Sequence, residues 1–314
     1  MGERSAEIGR VLEQDSKKLF SLFGWTFVGQ DISVDCSRAN HKNPKTKAAE
    51  KKTHGIDTFY RFYNPFCERE ELIIVECKHH QWSDFIPSNV NPWIEELANT
   101  IECTSDSQSI IEYSHDCVLT TGLILFKSSD NNYDTERAKR TFSEVVMPRR
   151  RASVMLLLAD MARFEKWVSL VNEIQSIRKS NPSNEFCFIY PSIGGSSWDK
   201  RTNITPTYLF SDFVFTTYIQ TKVSANSTEQ IDVKAIFIFE KPTESSIVYL
   251  LDMIDTLQLE SRAERRLEIH LYYYEDANCT TDYIQEMHSQ YVNPKKPNLV
   301  CKILRNCHSS TINE

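Results

Sequence analysis

The run Leu72-Ile73-Ile74-Val75 is as apolar as a strand interior can be, and it ends in Glu76-Cys77-Lys78. Unbroken apolar runs of this length suit strands buried on both faces, inside a sheet covered by helices. Two opposite charges at the end of such a strand need a reason. Either the strand emerges into solvent and the charges form a strand-end salt bridge, or they belong to a site that the sheet presents.

The preceding segment bears on this choice. Ile56 to Tyr63 is a second β-branched and aromatic run, joined to Leu72–Lys78 by Asn64-Pro65-Phe66-Cys67-Glu68-Arg69-Glu70, a hairpin signal of the longer-loop kind. A turn centred on Cys67 sets Asp57 opposite Cys77, beside Glu76 and Lys78. Strand alternation points Glu76 and Lys78 to one face and Ile73, Val75 and Cys77 to the other. Glu76 and Lys78 then form one constellation with Asp57, to within a residue of register. That set suits phosphodiester hydrolysis: the Asp57 and Glu76 carboxylates and the Cys77 backbone carbonyl are oxygen ligands for Mg²⁺, with Mn²⁺ as a substitute, and Lys78 orients water and offsets transition-state charge.

The rest of the chain reads as strands alternating with helices. Ile8, Val11, Leu12, Leu19, Phe20 and Phe23 recur at helical spacing before a stop at Gly24, and Trp25–Val34 reads as a strand. Further on come helices over 91–101, 135–146 and 163–179 and buried strands over 117–127 and 154–159. The segment Lys179–Asn184 reads as a boundary, dividing residues 1–180 from a second α/β or α+β domain over 185–314. Strands over 185–190, 208–222, 232–240, 267–274 and 299–304 and helices over 243–259 and 280–291 fill that second domain, with Ser192–Thr202 as a turn. It carries no motif that names a function. It is expected to recognise a target, to dimerise the chain or to dock a partner subunit.

Charge limits the partners. At a net charge of −7 the surface does not coat nucleic acid everywhere, so any such binding is local or shared. The local candidate is the insertion 37–54, where Arg38, Lys42, Lys45, Lys47, Lys51 and Lys52 oppose Glu50 alone and lead directly into Asp57. His79 and Gln81, just past Lys78, are candidates for phosphate contact, and Trp82 for base stacking or a core edge. Arg137, Lys139, Arg140 and Arg149 to Arg151 form a second basic group, read equally well as a helix face and its turn. Nine cysteines without a CxxC pair are expected to be reduced thiols rather than a disulfide frame or a zinc site. The N-terminus shows neither a signal-peptide pattern nor a myristoylation signal, and no apolar run approaches a membrane span, so the expected location is the cytoplasm.

Three segments in order resemble the PD-(D/E)xK nuclease superfamily, and within it the Mrr-like restriction endonuclease branch. Leu12-Glu13-Gln14-Asp15-Ser16-Lys17-Lys18-Leu19-Phe20-Ser21-Leu22-Phe23-Gly24-Trp25 is similar to that branch's helix ending in Gly-Tyr. Gly55-Ile56-Asp57 is similar to its G-I-D turn, and Ile73-Ile74-Val75-Glu76-Cys77-Lys78 to its strand ending in (E/Q)-x-K. The segments over 122–142 and 154–168 resemble the following strands and helices. The resemblance implies a restriction-endonuclease-like mixed central sheet flanked by helices, with an αβββαβ core, and metal-dependent cleavage of DNA. Asp57 and Glu76 would be metal ligands, Lys78 the catalytic lysine, and Glu13 a helix carboxylate assisting the metal or the lysine. Asp15, which lies in the apolar stripe, is the alternative to Glu13. The basic insertion before Gly55 is longer than usual, and Ile56 stands where the superfamily's name has proline. By family analogy the setting is prokaryotic restriction or anti-phage defence. The competing readings are a silent nuclease fold serving as a nucleic-acid-binding or scaffold subunit, and a nuclease acting on RNA.

Overall fold

The computed structural model describes residues 2–38, 41, 52–107, 110, 117–130, 132–149, 154–181, 186–192, 198–224, 227–260 and 265–307, with the side chains of 2–10 and 224 excepted. The chain divides into two compact units, residues 1–164 and 165–314. Lys42, Lys45, Lys47 and Lys51 of the basic insertion, and Arg150 and Arg151 of the second basic group, lie outside the described residues.

In the first unit, α1 (Gly2–Leu22) leads into β1 (Thr26–Asp35), β2 (Thr53–Asn64) and β3 (Arg69–His80). Helix α2 (Pro87–Ser105), β4 (Val118–Ser128), α3 (Thr135–Glu144) and β5 (Met155–Ala159) follow. The sheet order is β1-β2-β3-β4-β5. Its first three strands are antiparallel neighbours, whereas β3, β4 and β5 run parallel. This is the expected mixed sheet, and its αβββαβ order fits a restriction-endonuclease-like fold. Gly24 ends α1 at φ 82°, donating to the Ser21 carbonyl while Trp25 N–H donates to Phe20, so the left-handed residue closes both orphan carbonyls.

The sheet buries both faces. On one side Leu12, Leu19, Phe20 and Phe23 of α1 meet Trp25, Tyr60, Ile73 and Val75, with Phe20 stacked on Trp25 at 4.5 Å. On the other, Val90, Ile94, Leu97 and Ile101 of α2 cover Ile74, Ile124 and Phe126. Trp82 belongs to this second core, stacked on Phe85 at 5.3 Å, so it is a packing residue. Asp134 caps α3, its carboxylate accepting from the Glu136 and Arg137 amides.

The hairpin register differs by one residue from the sequence expectation. Asn64 pairs with Arg69 and Thr58 with Val75; one step beyond this last pair, the same register sets position 57 against 76 rather than 77. The cause is a four-residue turn, Pro65 to Glu68, whose last residue takes φ 51°; an even loop places the centre between residues instead of on Cys67.

The second unit begins within α4 (Met161–Ser180). It contains β6 (Cys187–Pro191), β7 (Trp198–Arg201), β8 (Phe213–Ser224), β9 (Ser227–Ile238), α5 (Glu244–Thr256), β10 (Arg266–Tyr274), α6 (Thr281–Met287) and β11 (Leu299–Leu304). The sheet order is β11-β10-β9-β8-β6-β7, parallel from β9 to β11 and antiparallel beyond. Phe215, Ile236, Leu271 and Tyr273 form its core with Leu250, Leu251 and Ile254 of α5. Two expectations are corrected here. Trp198–Arg201 is a strand rather than part of a turn, because it pairs antiparallel with β6. Pro206–Leu209 is a helical turn capped by Thr205, so the strand expected from residue 208 begins at Phe213.

One polar group in this sheet is costly. Lys234 is 2 % exposed, donates to Thr217 Oγ1 at 2.9 Å and lies 4.7 Å from the Trp198 ring centroid. Burial, reinforced by Lys200 and opposed by Asp232, pulls its pKa down to about 8. The unfolded lysine near 10.5 binds its proton more readily, so the penalty is full below pH 8 and fades as pH rises from 8 to 10.5. Lys234→Met is therefore expected to stabilise the chain by about 2 kcal/mol at pH 7, with the gain shrinking toward pH 10. Thermal unfolding of both proteins across that range measures the difference, and a pH-independent gap would show that Lys234 stays charged at no cost.

Candidate active site

The end of β3 carries the site. Glu76 is buried at 4 % exposure and its Oε2 lies 3.0 Å from Lys78 Nζ, on the same strand face. Asp57, half-buried on β2, accepts from the Cys77 backbone N–H through Oδ2 at 2.9 Å. The hydrogen bond fixes the aspartate against the next strand, and the ion pair fixes the lysine against the glutamate. Parallel pairing with β4 places Glu76 beside Ile124 and Lys78 beside Phe126, so an apolar wall runs up to the charged pair.

The electrostatics follow from that wall. Burial pulls Lys78 down, but the Glu76 and Asp57 carboxylates outweigh it and hold the ammonium above the usual lysine value. Burial, then the Asp57 charge, push the Cys77 thiol well above the usual range, so this side chain is a neutral thiol. Two carboxylates with a neighbouring backbone carbonyl form an all-oxygen donor set, the kind that suits a hard divalent cation. The donor chemistry of Asp57, Glu76 and Cys77 thus fits the metal that the fold implies.

Helix α1 approaches from the opposite face. Ser16 Oγ lies 3.8 Å from Cys77 Sγ, and Glu13 is among the charges acting on Cys77 and Tyr60. Glu13 is half-buried on this flank, while Asp15 on the other flank is 3.4 Å from Lys127 Nζ. The structure therefore brings Asp57, Glu76 and Lys78 to one face of β3 and Glu13 to the side of Cys77. Alternation sends His79 to that same side. His80 lies on the Lys78 side, its ring stacked on Trp93 at 5.3 Å. Gln81 and Lys52 are exposed, and the Lys52 carbonyl accepts from Cys36 N–H where β1 and β2 close.

Two features escaped sequence reasoning. The Lys127–Asp15 pair joins β4 to α1, and no local spacing signals it. Cys36, His41, His54 and Cys103 converge where β1 ends and β2 begins, and the two histidines of the insertion were the available clue.

Comparison with curated proteins gives no match to this chain. A family comparison matches residues 1–163 to the GAPS4 protein PD-(D/E)XK nuclease domain, which spans α1 and all five strands of the first sheet. Among the described residues no helix is long and apolar enough to cross a membrane. With more than half of its length matched, this chain belongs to the family of GAPS4 protein PD-(D/E)XK nuclease domains.

Proposed function

We propose that this protein is a Mg²⁺-dependent DNA endonuclease of a prokaryotic defence system, in which the unit over 165–314 recognises a target, dimerises the chain or docks a partner subunit. The observation that carries the reading is the juxtaposition of Asp57, Glu76 and Lys78, a buried carboxylate and its lysine 3.0 Å apart with a second carboxylate held by the intervening amide.

In this reading Asp57, Glu76 and the Cys77 carbonyl hold Mg²⁺, with Mn²⁺ able to replace it, and the ion supplies charge neutralisation at the scissile phosphate. The Cys77 N–H keeps the Asp57 carboxylate aimed across the strand pair. Lys78, held protonated, donates to a phosphate oxygen or to the attacking water and offsets charge as the transition state forms. Glu13 acts indirectly, supporting the Cys77 segment from the α1 side. Lys52 and the other insertion lysines, Lys42, Lys45, Lys47 and Lys51, hold backbone phosphates, as do His79 and Gln81.

The test is cleavage of plasmid, linear duplex, single-stranded DNA and RNA, with Mg²⁺ or Mn²⁺ and with EDTA. Cutting of DNA with either ion and none with EDTA is the expected result. Cutting of RNA alone would reassign the substrate. Silence on every substrate, with candidate partner proteins added, would favour the scaffold reading.

A further inference from the structure

A second cluster of metal-binding side chains lies away from the carboxylates. It gathers from parts of the chain that are distant in sequence. Cys36 follows the last residue of β1, and its amide bonds the Lys52 carbonyl, closing the mouth of the insertion. His54 enters from β2, where it pairs with Val34. His41 comes from the insertion itself, and Cys103 from the last turn of α2. His41, His54 and Cys103 are 3 %, 0 % and 1 % exposed, so three of the four are core residues.

The distances fit one ion. A tetrahedral zinc with bonds of about 2.3 Å to sulfur and about 2.0–2.1 Å to nitrogen sets its sulfurs about 3.8 Å apart and a sulfur about 3.6 Å from a nitrogen. Here Cys36 Sγ and Cys103 Sγ are 3.8 Å apart, and His41 Nδ1 is 3.6 Å from the first and 3.4 Å from the second. One ligand atom from each of the four residues lies within 4.8 Å of all the others. The surroundings have the expected form as well. His41 Nε2 is 3.0 Å from a Glu102 carboxylate oxygen; with Nε2 as the donor, the Nδ1 lone pair faces the sulfurs. Metal-bound histidines are commonly oriented this way. Ser37 Oγ donates to Cys103 Sγ at 3.7 Å, and Arg38 binds Asp106 at 2.6 Å, tying the insertion to α2.

We propose that Cys36, His41, His54 and Cys103 form a structural Zn²⁺ site that clasps the base of the basic insertion to the sheet and to α2. Two thiolates balance the charge of the ion, and two neutral imidazoles complete its coordination, so the buried site is neutral overall. Sulfur and imidazole select zinc over the hard cation suited to Asp57 and Glu76, which makes the two sites chemically separate. The clasp fixes the start of β2, three residues before Asp57. A Cys36–Cys103 disulfide is the rival chemistry for the same two sulfurs, and it requires them to close to about 2.05 Å.

The test uses the untagged full chain, purified without chelator, with metal measured by mass spectrometry and thiols by labelling. About one zinc per chain is expected. Cobalt substituted for zinc should give the intense visible bands of a tetrahedral site and thiolate-to-cobalt charge transfer in the near ultraviolet. Cys36→Ser with Cys103→Ser should lose the zinc, whereas Asp57→Asn with Glu76→Gln should keep it. Should the serine variant fail to fold, His54→Cys provides the second arm: it should retain the metal and strengthen the cobalt charge-transfer band. The proposal is overturned by a metal-free chain with free thiols and no cobalt spectrum, by a Cys36–Cys103 disulfide in the purified protein, or by zinc lost with the carboxylates instead of the cysteines.

Discussion

Replacing Lys78 by alanine is expected to slow metal-dependent cleavage by about 10²–10³-fold, the usual cost of deleting one donor aimed at developing charge. Lys78 Nζ is 3.0 Å from Glu76 Oε2, and the apolar wall of Ile124 and Phe126 on the same sheet face strengthens whatever charge it presents. The deletion also leaves the Glu76 and Asp57 carboxylates without that cation, so part of the loss would be structural unless the assay separates the two effects. Single-turnover rates at saturating Mg²⁺ do so when paired with thermal unfolding under the same conditions, because a bound divalent ion replaces the lost positive charge. The expected outcome is a large fall in the cleavage step with stability near that of the wild type. Lys78→Arg should recover stability but little rate, since a planar guanidinium does not reproduce the compact ammonium. Wild-type cleavage in Lys78→Ala would reduce the lysine to a salt-bridge partner and remove the central element of the mechanism.

The reach and the limits of the sequence both have physical causes. The apolar run ending in Glu76-Cys77-Lys78 was legible because strand alternation is local: once Leu72–Val75 is a strand, Glu76 and Lys78 must share a face. The position of Asp57 was legible to within one residue, and the error arose where local rules are weakest, in a turn whose length sets the register. Glu13 is a different case. Helical spacing places it at the edge of the apolar stripe, but which face of the sheet that edge meets depends on how α1 docks, and it meets the Cys77 side. The Cys36, His41, His54 and Cys103 cluster was hidden for the same reason in stronger form, since its members are brought together by β1 and β2 pairing and by α2 crossing over them. The second unit yielded its main strands and helices because they are long and periodic. Its function stayed unread because the charges within those strands, Lys234 on β9 and Glu268 on β10, stand in no spacing that signals a chemistry, unlike the Glu76-Cys77-Lys78 ending of β3.

The seating of α2 over this sheet depends on the absence of a side chain at Gly122, and Gly122→Val is expected to destabilise the chain by about 3 kcal/mol. Gly122 sits on β4 opposite Ile74, two residues before Ile124, the partner of Glu76. A Cβ built there meets Ile101 Cδ1 at 2.6 Å and Leu97 Cδ2 and Cγ at 2.8 and 2.9 Å. Ile101 presents the end of a side chain that can rotate, but Leu97 presents its branch carbon from a buried helix, so α2 itself must move. Gly122→Ala should therefore cost about 1–3 kcal/mol, and the two further methyls of valine should drive the cost upward. Shortening the opposing side chain is the decisive control. Combining Gly122→Ala with Leu97→Ala opens the space that the new Cβ needs, so the double variant should be more stable than the two single losses sum to. Denaturant unfolding of the four proteins gives that coupling directly. Simple additivity would mean that Gly122 serves the strand backbone rather than helix packing. Because Glu76 pairs with β4 two residues further along, a coupled result would also identify α2 as the element that holds the carboxylate strand in place.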